Sequence, residues 1–339
     1  MRRVLRAIAV AVASLSLVAT AACDSSANSA DNKSLTKLTY LTAFSTNGRD
    51  AFAWVAQEKG WFKQAGLDVT IQPGAGAGPN LKLLSSGQAD FAALDLTGAI
   101  IGEGSGQYSG VRAVAAIHQR TLVSIITYKD QKITSPKDLD GKTIAQAAGS
   151  VNKMLFPAYA KLTGINASSV KWQDTQPTQL ASLLASGKVD ALSTFLISTG
   201  AITKAGGGKA VNVMPYSDYL TDLYGNALFT TNSMIKKNPA LVKKFRDVML
   251  KALTYTIKHP EEAAAILHKA EPASVEAAAL GEIKLMTPYV SSASSGVATG
   301  AIDQQRVARS IALLQNNGLI KSGATPDQFV DFSLTPGSS

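Results

Sequence analysis

The side chains best suited to holding a small molecule are hydroxyls, amides, two arginines, one carboxylate and two aromatic rings. They follow short apolar runs: Ser45, Thr46, Asn47 and Arg49; Asp95 and Thr97; Gln119 and Arg120; Ser150 and Asn152; Phe195; Tyr224 and Asn226. Thr97 and Ser150 can donate hydrogen bonds, and Arg49 or Arg120 can pair with an acidic group on a ligand. Phe195 and Tyr224 offer flat apolar surface to a ring or an alkyl part. Each also has an ordinary structural use as a helix cap, a hinge-packing residue or a surface residue. The only cysteine among 339 residues is Cys23, which excludes an intramolecular disulfide and a cysteine-built structural zinc site. Three scattered histidines leave little material for a metal centre, and no G-x-S-x-G elbow occurs. Gly74-Ala75-Gly76-Ala77-Gly78-Pro79 has Pro79 where a dinucleotide fingerprint needs its third glycine. Gly141-Lys142-Thr143 ends like a phosphate loop, but Pro136 occupies the required first glycine. The first is therefore a strand–helix turn that can face a ligand, and the second a turn entering a strand. His118 reads as a packing or surface residue, Trp54 and Trp61 as core, and Trp172 as either. The chemistry expected is reversible binding, with no catalytic set, no metal and no cofactor.

The elements that must position these groups come from a composition that is 46% hydrophobic and 17% charged, typical of a folded chain. The length suits two domains. Leu83-Leu84-Ser85-Ser86-Gly87-Gln88-Ala89-Asp90 returns as Leu183-Leu184-Ala185-Ser186-Gly187-Lys188-Val189-Asp190. In each copy an amphipathic helix ends at a glycine, and an apolar strand follows the aspartate, Phe91–Leu94 in one and Ala191–Ser193 in the other. The preceding units correspond too: a strand Leu38–Thr42 enters a loop at Ser45–Gly48, and a strand Lys142–Gln146 enters a loop at Ala148–Ser150. Further strands are expected at Val111–Ile117, Leu122–Tyr128, Val170–Gln173, Ala210–Val213 and Asn226–Thr231. Helices are expected at Pro239–Lys258, Pro260–Lys269, Ser274–Met286 and Asp303–Asn316, and Ser135-Pro136 caps a short one. Helices alternating with short apolar strands predict an α/β fold of two similar lobes, each a mainly parallel sheet flanked by helices. Lobe 1 is expected from residues 35–127 plus 226–339 and lobe 2 from 128–225, with two chain crossings forming the hinge. The lysines of Lys236–Lys258 lie opposite an apolar stripe and read as a solvated face.

Residues 1–22 read as an export signal: Arg2, Arg3 and Arg6, an apolar run from Ala7 to Val18, then small residues. The run is too short to span a bilayer. Its removal lowers the formal charge from +9 to +6, which gives no indication of nucleic-acid binding. Thr20-Ala21-Ala22-Cys23 resembles the lipobox of bacterial lipoproteins, with Thr20 standing where a leucine-like residue is usual. That resemblance implies a lipidated Cys23 and a membrane anchor, with residues 23–34 as a flexible tether. Cleavage at Ala19-Thr20-Ala21 would instead release a soluble secreted or periplasmic protein.

Four segments resemble one family. Glu58-Lys59-Gly60-Trp61-Phe62-Lys63-Gln64-Ala65-Gly66-Leu67-Asp68-Val69, Ser86–Phe91, Ile133–Ile144 and Asn238–Phe245 occur in the order found in bacterial solute-binding proteins that feed ABC importers. The resemblance is to the branch that includes nitrate, sulfonate and taurine receptors and receptors for pyrimidine precursors of thiamine. It implies a type II periplasmic binding protein fold, an extracytoplasmic location, a small-molecule ligand, an ABC permease as partner and a monomeric receptor that closes around its guest. Two other functions fit the same fold: a ligand-sensing lipoprotein, and an enzyme similar to the fungal thiamine-pyrimidine synthases. The latter carry a cysteine-rich motif that this chain lacks. The ligand expected is a small organic molecule with a planar or apolar part, sulfonate-, pyrimidine- or heterocycle-like.

Overall fold

The structure, a computed structural model, describes residues 35–148, 150–291 and 297–337; the signal-like segment, Cys23 and the tether lie outside them. The first half of the chain runs β1 (Thr36–Leu41), β2 (Phe44–Ser45), α1 (Ala51–Glu58), α2 (Trp61–Gln64), β3 (Leu67–Gln72), β4 (Gly74–Ala75), α3 (Ala77–Ser85), β5 (Phe91–Asp95), α4 (Leu96–Gly104) and β6 (Val111–Ala116). Next come β7 (Val123–Tyr128), β8 (Thr143–Ala147), α5 (Val151–Thr163), β9 (Lys171–Thr175), α6 (Leu180–Ala185), β10 (Ala191–Phe195), α7 (Thr199–Ala205) and β11 (Val211–Pro215). The chain ends with β12 (Asn226–Thr231), α8 (Asn232–Lys237), α9 (Pro239–Lys258), α10 (Pro260–Ala270), α11 (Glu276–Val290), α12 (Gln304–Asn316) and α13 (Pro326–Phe329).

Two five-stranded sheets result, ordered β3-β1-β5-β12-β6 and β9-β8-β10-β7-β11. They are built alike. β1 is parallel to β3 and β5, as β8 is to β9 and β10. One strand is reversed in each sheet: β12 is antiparallel to β5 and β6, and β7 is antiparallel to β10 and β11. Helices flank these mainly parallel sheets, so the α/β architecture expected from the alternation is the one observed. The chain passes between sheets twice, at residues 117–122 and 216–225. All of β7 belongs to the second sheet, so the expected boundary between residues 127 and 128 falls inside a strand; the first crossing lies upstream of it. The described residues from Leu35 onward form one compact unit.

The sequence repeat has a physical basis. Gly87 and Gly187 stop their helices at φ 72° and 70°, a left-handed conformation that costs other residues more. The aspartate three residues later then grips the neighbouring strand at two points. Asp90 Oδ2 accepts the Thr39 N–H at 2.7 Å, and the Asp90 N–H donates to the Thr39 carbonyl at 3.0 Å. Asp190 does the same to Thr143, at 2.7 and 2.9 Å. Each aspartate thereby fixes the register of a parallel pair just before β5 or β10 begins.

The long helix α9 seals the first sheet. Its Phe245 stacks on Phe91 with ring centres 4.1 Å apart and on Phe62 at 5.7 Å, all three fully or nearly fully buried. Trp54 is core as expected. Trp61 is only half-buried, with the Lys251 ammonium 4.0 Å above its ring. Trp172 packs edge-on against Phe156 at 5.0 Å, in the second half.

Replacing Asp190 with Ala leaves the Thr143 N–H without its carboxylate and is expected to cost about 1–3 kcal/mol of stability. Asp90→Ala should behave alike at Thr39. Urea unfolding at neutral pH measures both, and two unchanged midpoints would refute this role.

Candidate functional site

A cavity of about 650 Å3 lies between the two sheets. Its walls include the residues at the carboxyl ends of the parallel strands: Ala43 after β1, Asp95 at the end of β5, Ala147 at the end of β8 and Phe195 at the end of β10. Open α/β sheets place ligands at this end, where the loops lead into helix N-termini. Of these termini α4 and α5 carry a side-chain cap, and α1, α3, α6 and α7 carry none. Asp95 caps α4, its Oδ1 accepting the Gly98 N–H at 2.8 Å, and Ser150 Oγ caps α5 by accepting the Asn152 N–H at 3.2 Å. The glycine-rich turn Gly76–Pro79 forms another part of the wall and opens α3.

Charge in the cavity is mostly acidic. Its one arginine, Arg49, is 4% exposed; its Nε lies 3.3 Å from Asp50 Oδ2, and its guanidinium carbon sits 5.6 Å from the centre of the Phe195 ring. Arg49 therefore ties the first half to the second. Burial raises the Asp50 carboxyl despite this partner. Burial also pushes the Asp95 carboxyl up to about 6, against the pull of the Gly98 N–H and Arg49. Glu282, on α11, is raised by burial to about 7, although its Oε2 accepts the Gly48 N–H at 2.5 Å. Gly48 permits that contact: a Cβ there would lie 2.2 Å from the Ala279 carbonyl oxygen. Asn152 lines the cavity but is buried, and its Oδ1, itself closed off from solvent, has no hydrogen-bond partner among the described residues.

Asn47, Arg49, Asp95, Ser150, Asn152, Phe195 and Asn226 all line the cavity. Six other residues singled out from the sequence do not. Ser45 belongs to the small β2–β4 ladder, its carbonyl accepting the Thr42 hydroxyl at 2.6 Å, and Thr46 follows it. Thr97 is buried in the first turn of α4, with its main-chain N–H directed to Asp95. Gln119 donates Nε2 to the Ala301 carbonyl at 2.8 Å, and Arg120 lies 4.6 Å from the Tyr289 ring centre while donating to the Pro288 carbonyl at 3.0 Å. Tyr224 accepts the Asp303 N–H at 2.9 Å beneath the Arg306 guanidinium. The reason is topological: β6 does not lead back through a helix, so its loop, like the one before β12, turns to the C-terminal helices. His118, on the first crossing, is fully buried; its Nδ1 accepts the Asn226 N–H at 3.3 Å, and burial, reinforced by Arg49, pushes it down to about 3.

Three wall residues carry no mark in a helix-and-strand reading. Glu282 comes from a helix more than 180 residues beyond the first lining residues. Phe44 and Met154, 40% and 38% exposed, face each other's halves of the chain as apolar groups on the cavity wall. A large apolar side chain left exposed, Phe44 in β2 and Met154 in α5, is a property of the fold that spacing alone does not mark. Among the described residues no three His, Cys, Asp or Glu side chains are grouped to hold a metal ion, and no helix is long and apolar enough to cross a membrane.

Residues 47–263, nearly two thirds of the chain, match the family described as NMT1/THI5 like. The chain belongs to that family. This NMT1/THI5-like chain is 26% identical over 239 residues to the riboflavin-binding protein RibY of Chloroflexus aurantiacus, a match spanning 68% of this chain and 65% of that protein. It is 23% identical over 255 residues to the formylaminopyrimidine-binding protein of Halalkalibacterium halodurans, covering 75% and 76% of the two chains. Its fold is that of the periplasmic aliphatic sulphonate binding protein SsuA from Escherichia coli, with a TM-score of 0.70 over 87% of this chain and 97% of that one, at 14% identity. That identity carries the fold and nothing finer.

The raised carboxyl of Glu282 has a sign. A folded value above the ordinary glutamate value stabilises the fold fully below pH 4.5, and that stabilisation is lost as pH rises through about 7. Glu282→Gln should therefore match wild type near pH 4.5 and gain on it progressively up to pH 8. Paired urea titrations across that range check it; a constant difference would refute the assignment.

Proposed function

We propose that the chain is the extracytoplasmic receptor of an ABC importer, closing two lobes on a small, planar, nitrogen-containing organic ligand. The observation that carries the ligand class is the charge of the cavity. Arg49 is already paired with Asp50 and set against Phe195, while Asp95 and Glu282 add carboxyl groups. An inorganic or sulfonate anion would meet no unpaired cation there and at least one acidic wall. A heterocycle with N–H groups can instead donate to the carboxyls of Asp95 and Glu282, and lay its ring beside Phe195, Phe44 and Tyr108. The names of the riboflavin- and formylaminopyrimidine-binding relatives support a heterocycle, and SsuA supports the fold rather than its own guest.

Closure follows from the same geometry. Phe44 stands on the first-sheet side of the cavity and Met154 on the second, both partly open to water. A ligand between them removes that apolar surface from water only when the halves approach, so it binds the closed form better. Lobe 1 then comprises the first sheet with the C-terminal helices, and lobe 2 the second sheet. No covalent step is needed. Delivery to a permease requires only that the closed form differ in shape from the open one.

A thermal-shift and calorimetric panel of riboflavin, formylaminopyrimidine, aminopyrimidines, thiamine, taurine, an alkanesulfonate and nitrate tests the ligand class. A heterocycle present at a hundred times its dissociation constant should add about 2.7 kcal/mol, with Phe195→Ala weakening its binding by about tenfold. Stabilisation by nitrate or a sulfonate alone, or by nothing in the panel, would overturn the proposal. The lipid anchor has its own check: mass spectrometry of membrane-fraction protein should find diacylglycerol on Cys23, whereas an unmodified chain beginning at Ala22 would exclude it.

A further inference from the structure

Both crossings between the sheets are bonded to each other as well as to their own sheets. The Thr121 N–H donates to the Leu223 carbonyl at 3.0 Å and the Gly225 N–H to the His118 carbonyl at 3.2 Å. Over this two-stranded waist lies one guanidinium from α12. Arg306 donates through Nε to the Asp222 carbonyl at 3.0 Å, and through one terminal nitrogen to the carbonyls of Thr221 at 3.1 Å, Leu223 at 3.3 Å and Gln119. Gln119 belongs to the first crossing and the other three acceptors to the second. The guanidinium also lies 3.8 Å from the centre of the Tyr224 ring, whose hydroxyl accepts the Asp303 N–H at the start of α12. Ser310 Oγ adds a bond to the Asp222 carbonyl at 2.9 Å, and Arg309 grips the Asp222 carboxylate with contacts of 2.8 to 3.0 Å. None of these α12 side chains lines the cavity.

We infer that Arg306 is the positioning residue of the hinge: by holding carbonyls of both crossings on one planar fork, it limits how far the two halves can turn. The inference rests on the proposed closure of the two lobes. Nε and one terminal nitrogen hold three N–H groups in a fixed plane, so at least one is shared among the four carbonyls of the two segments, and a flexible ammonium does not fix that plane. Rotation about the waist must separate the Gln119 carbonyl from those of Thr221–Leu223 or carry all of them with α12. The clamp therefore narrows the open ensemble and raises the fraction of molecules ready to close, which sets apparent affinity in proportion to that fraction. Arg309 and Asp222 fasten α12 to the second crossing, so Arg306 works from a fixed base.

The experiment uses the full chain with Cys23→Ser and spin labels at Ser86→Cys and Ser186→Cys, exposed equivalents in the two halves. Without ligand, Arg306→Ala should broaden the distance distribution, and amide exchange at Thr121 and Gly225 should quicken by about tenfold or more while the Leu94 amide in β5 stays protected. Arg306→Lys should fall between the two, because it keeps the charge but loses the fork. Asp222→Asn, which removes the Arg309 pair but leaves every carbonyl in place, should loosen the waist by clearly less than Arg306→Ala, and Arg306→Lys carries the test if Arg306→Ala fails to fold. An unchanged distribution and unchanged waist exchange in folded Arg306→Ala or Arg306→Lys would overturn the inference. So would Asp222→Asn alone reproducing the full effect, because surface pairing rather than the carbonyl clamp would then hold the waist. Riboflavin and formylaminopyrimidine titrations should give affinities about tenfold weaker in Arg306→Ala; equal affinities with a broadened distribution would remove the link to binding. Failure of both compounds to bind wild type counts against the proposed ligand class, and the ligand-free measurements still decide the role of Arg306.

Discussion

Each sheet of this protein is completed by a strand delivered from the other side of the molecule, and that requirement fixes where everything else can be. β7 and β12 are the reversed strands, one per sheet, and each is the strand on which the chain has just crossed. Because they run opposite to their parallel neighbours, they must enter at the carboxyl ends of those neighbours: Val123 pairs with Phe195, and Asn226 with Asp95. The crossings therefore lie at the same end of the sheets as the helix N-termini and the cavity. Hinge and binding site are adjacent as a consequence of strand direction, with no further device needed to couple them. A ligand that touches Asn226 touches the first residue past the second crossing, and one that touches Phe195 touches the partner of Val123, the first residue of β7.

This constraint explains which parts of the molecule could be read from the chain. The repeat was legible because its two informative residues do local, directional work: a glycine leaves the helix and an aspartate bonds the next strand, at Thr39 in one copy and Thr143 in the other. Helix α9 was legible over its observed range because Asn238-Pro239 starts it and its apolar stripe keeps a helical period. The expected lobe boundary slipped because Val123–Tyr128 is mainly apolar and buried on both faces, its Ser124 and Thr127 included, and such a strand carries no sign of which sheet it joins. Gln119, Arg120 and Tyr224 were candidates on the rule that polar residues at strand ends face a ligand. The rule assumes that a helix follows the strand; at the two crossings none does, and those side chains turn to the C-terminal segment instead. Glu282 obeys no local rule at all. It reaches the cavity because α11 packs on the turn containing Gly48, a long-range contact that period and spacing cannot encode.

The electrostatics follow from the same folding choices. Helix N-termini beside a cavity normally invite an anion, since their N–H groups lack partners. In this protein α4 satisfies its first turn with Asp95 and α5 with Ser150, and the loop before α1 spends the Gly48 N–H on Glu282. The Gly98, Asn152 and Gly48 N–H groups are thus occupied by the protein's own oxygens, whereas α3, which opens at the cavity wall on Gly76, has no side-chain cap. The lining beside those caps includes the acidic residues Asp95 and Glu282 together with Ser150. The carboxyls of Asp95 and Glu282 favour donor-rich guests, and Arg49, with its Nε against Asp50, is the cation that opposes them.

Duplication supplies two similar walls, yet a cavity of identical walls would recognise little. Discrimination has to arise where the copies differ. The ends of β5 and β10 are equivalent positions in the two sheets, and they carry Asp95 and Phe195: an acidic helix cap in one, an aromatic face in the other. Arg49 joins this unlike pair, shifting the titration of Asp95 while resting against the ring of Phe195. Glu282 then breaks the remaining symmetry from outside the repeat, since α11 has no counterpart in the second half. A ring with one polar edge matches such a site in one orientation only. The repeat builds the hinge and the frame, and departures from it decide what the frame holds.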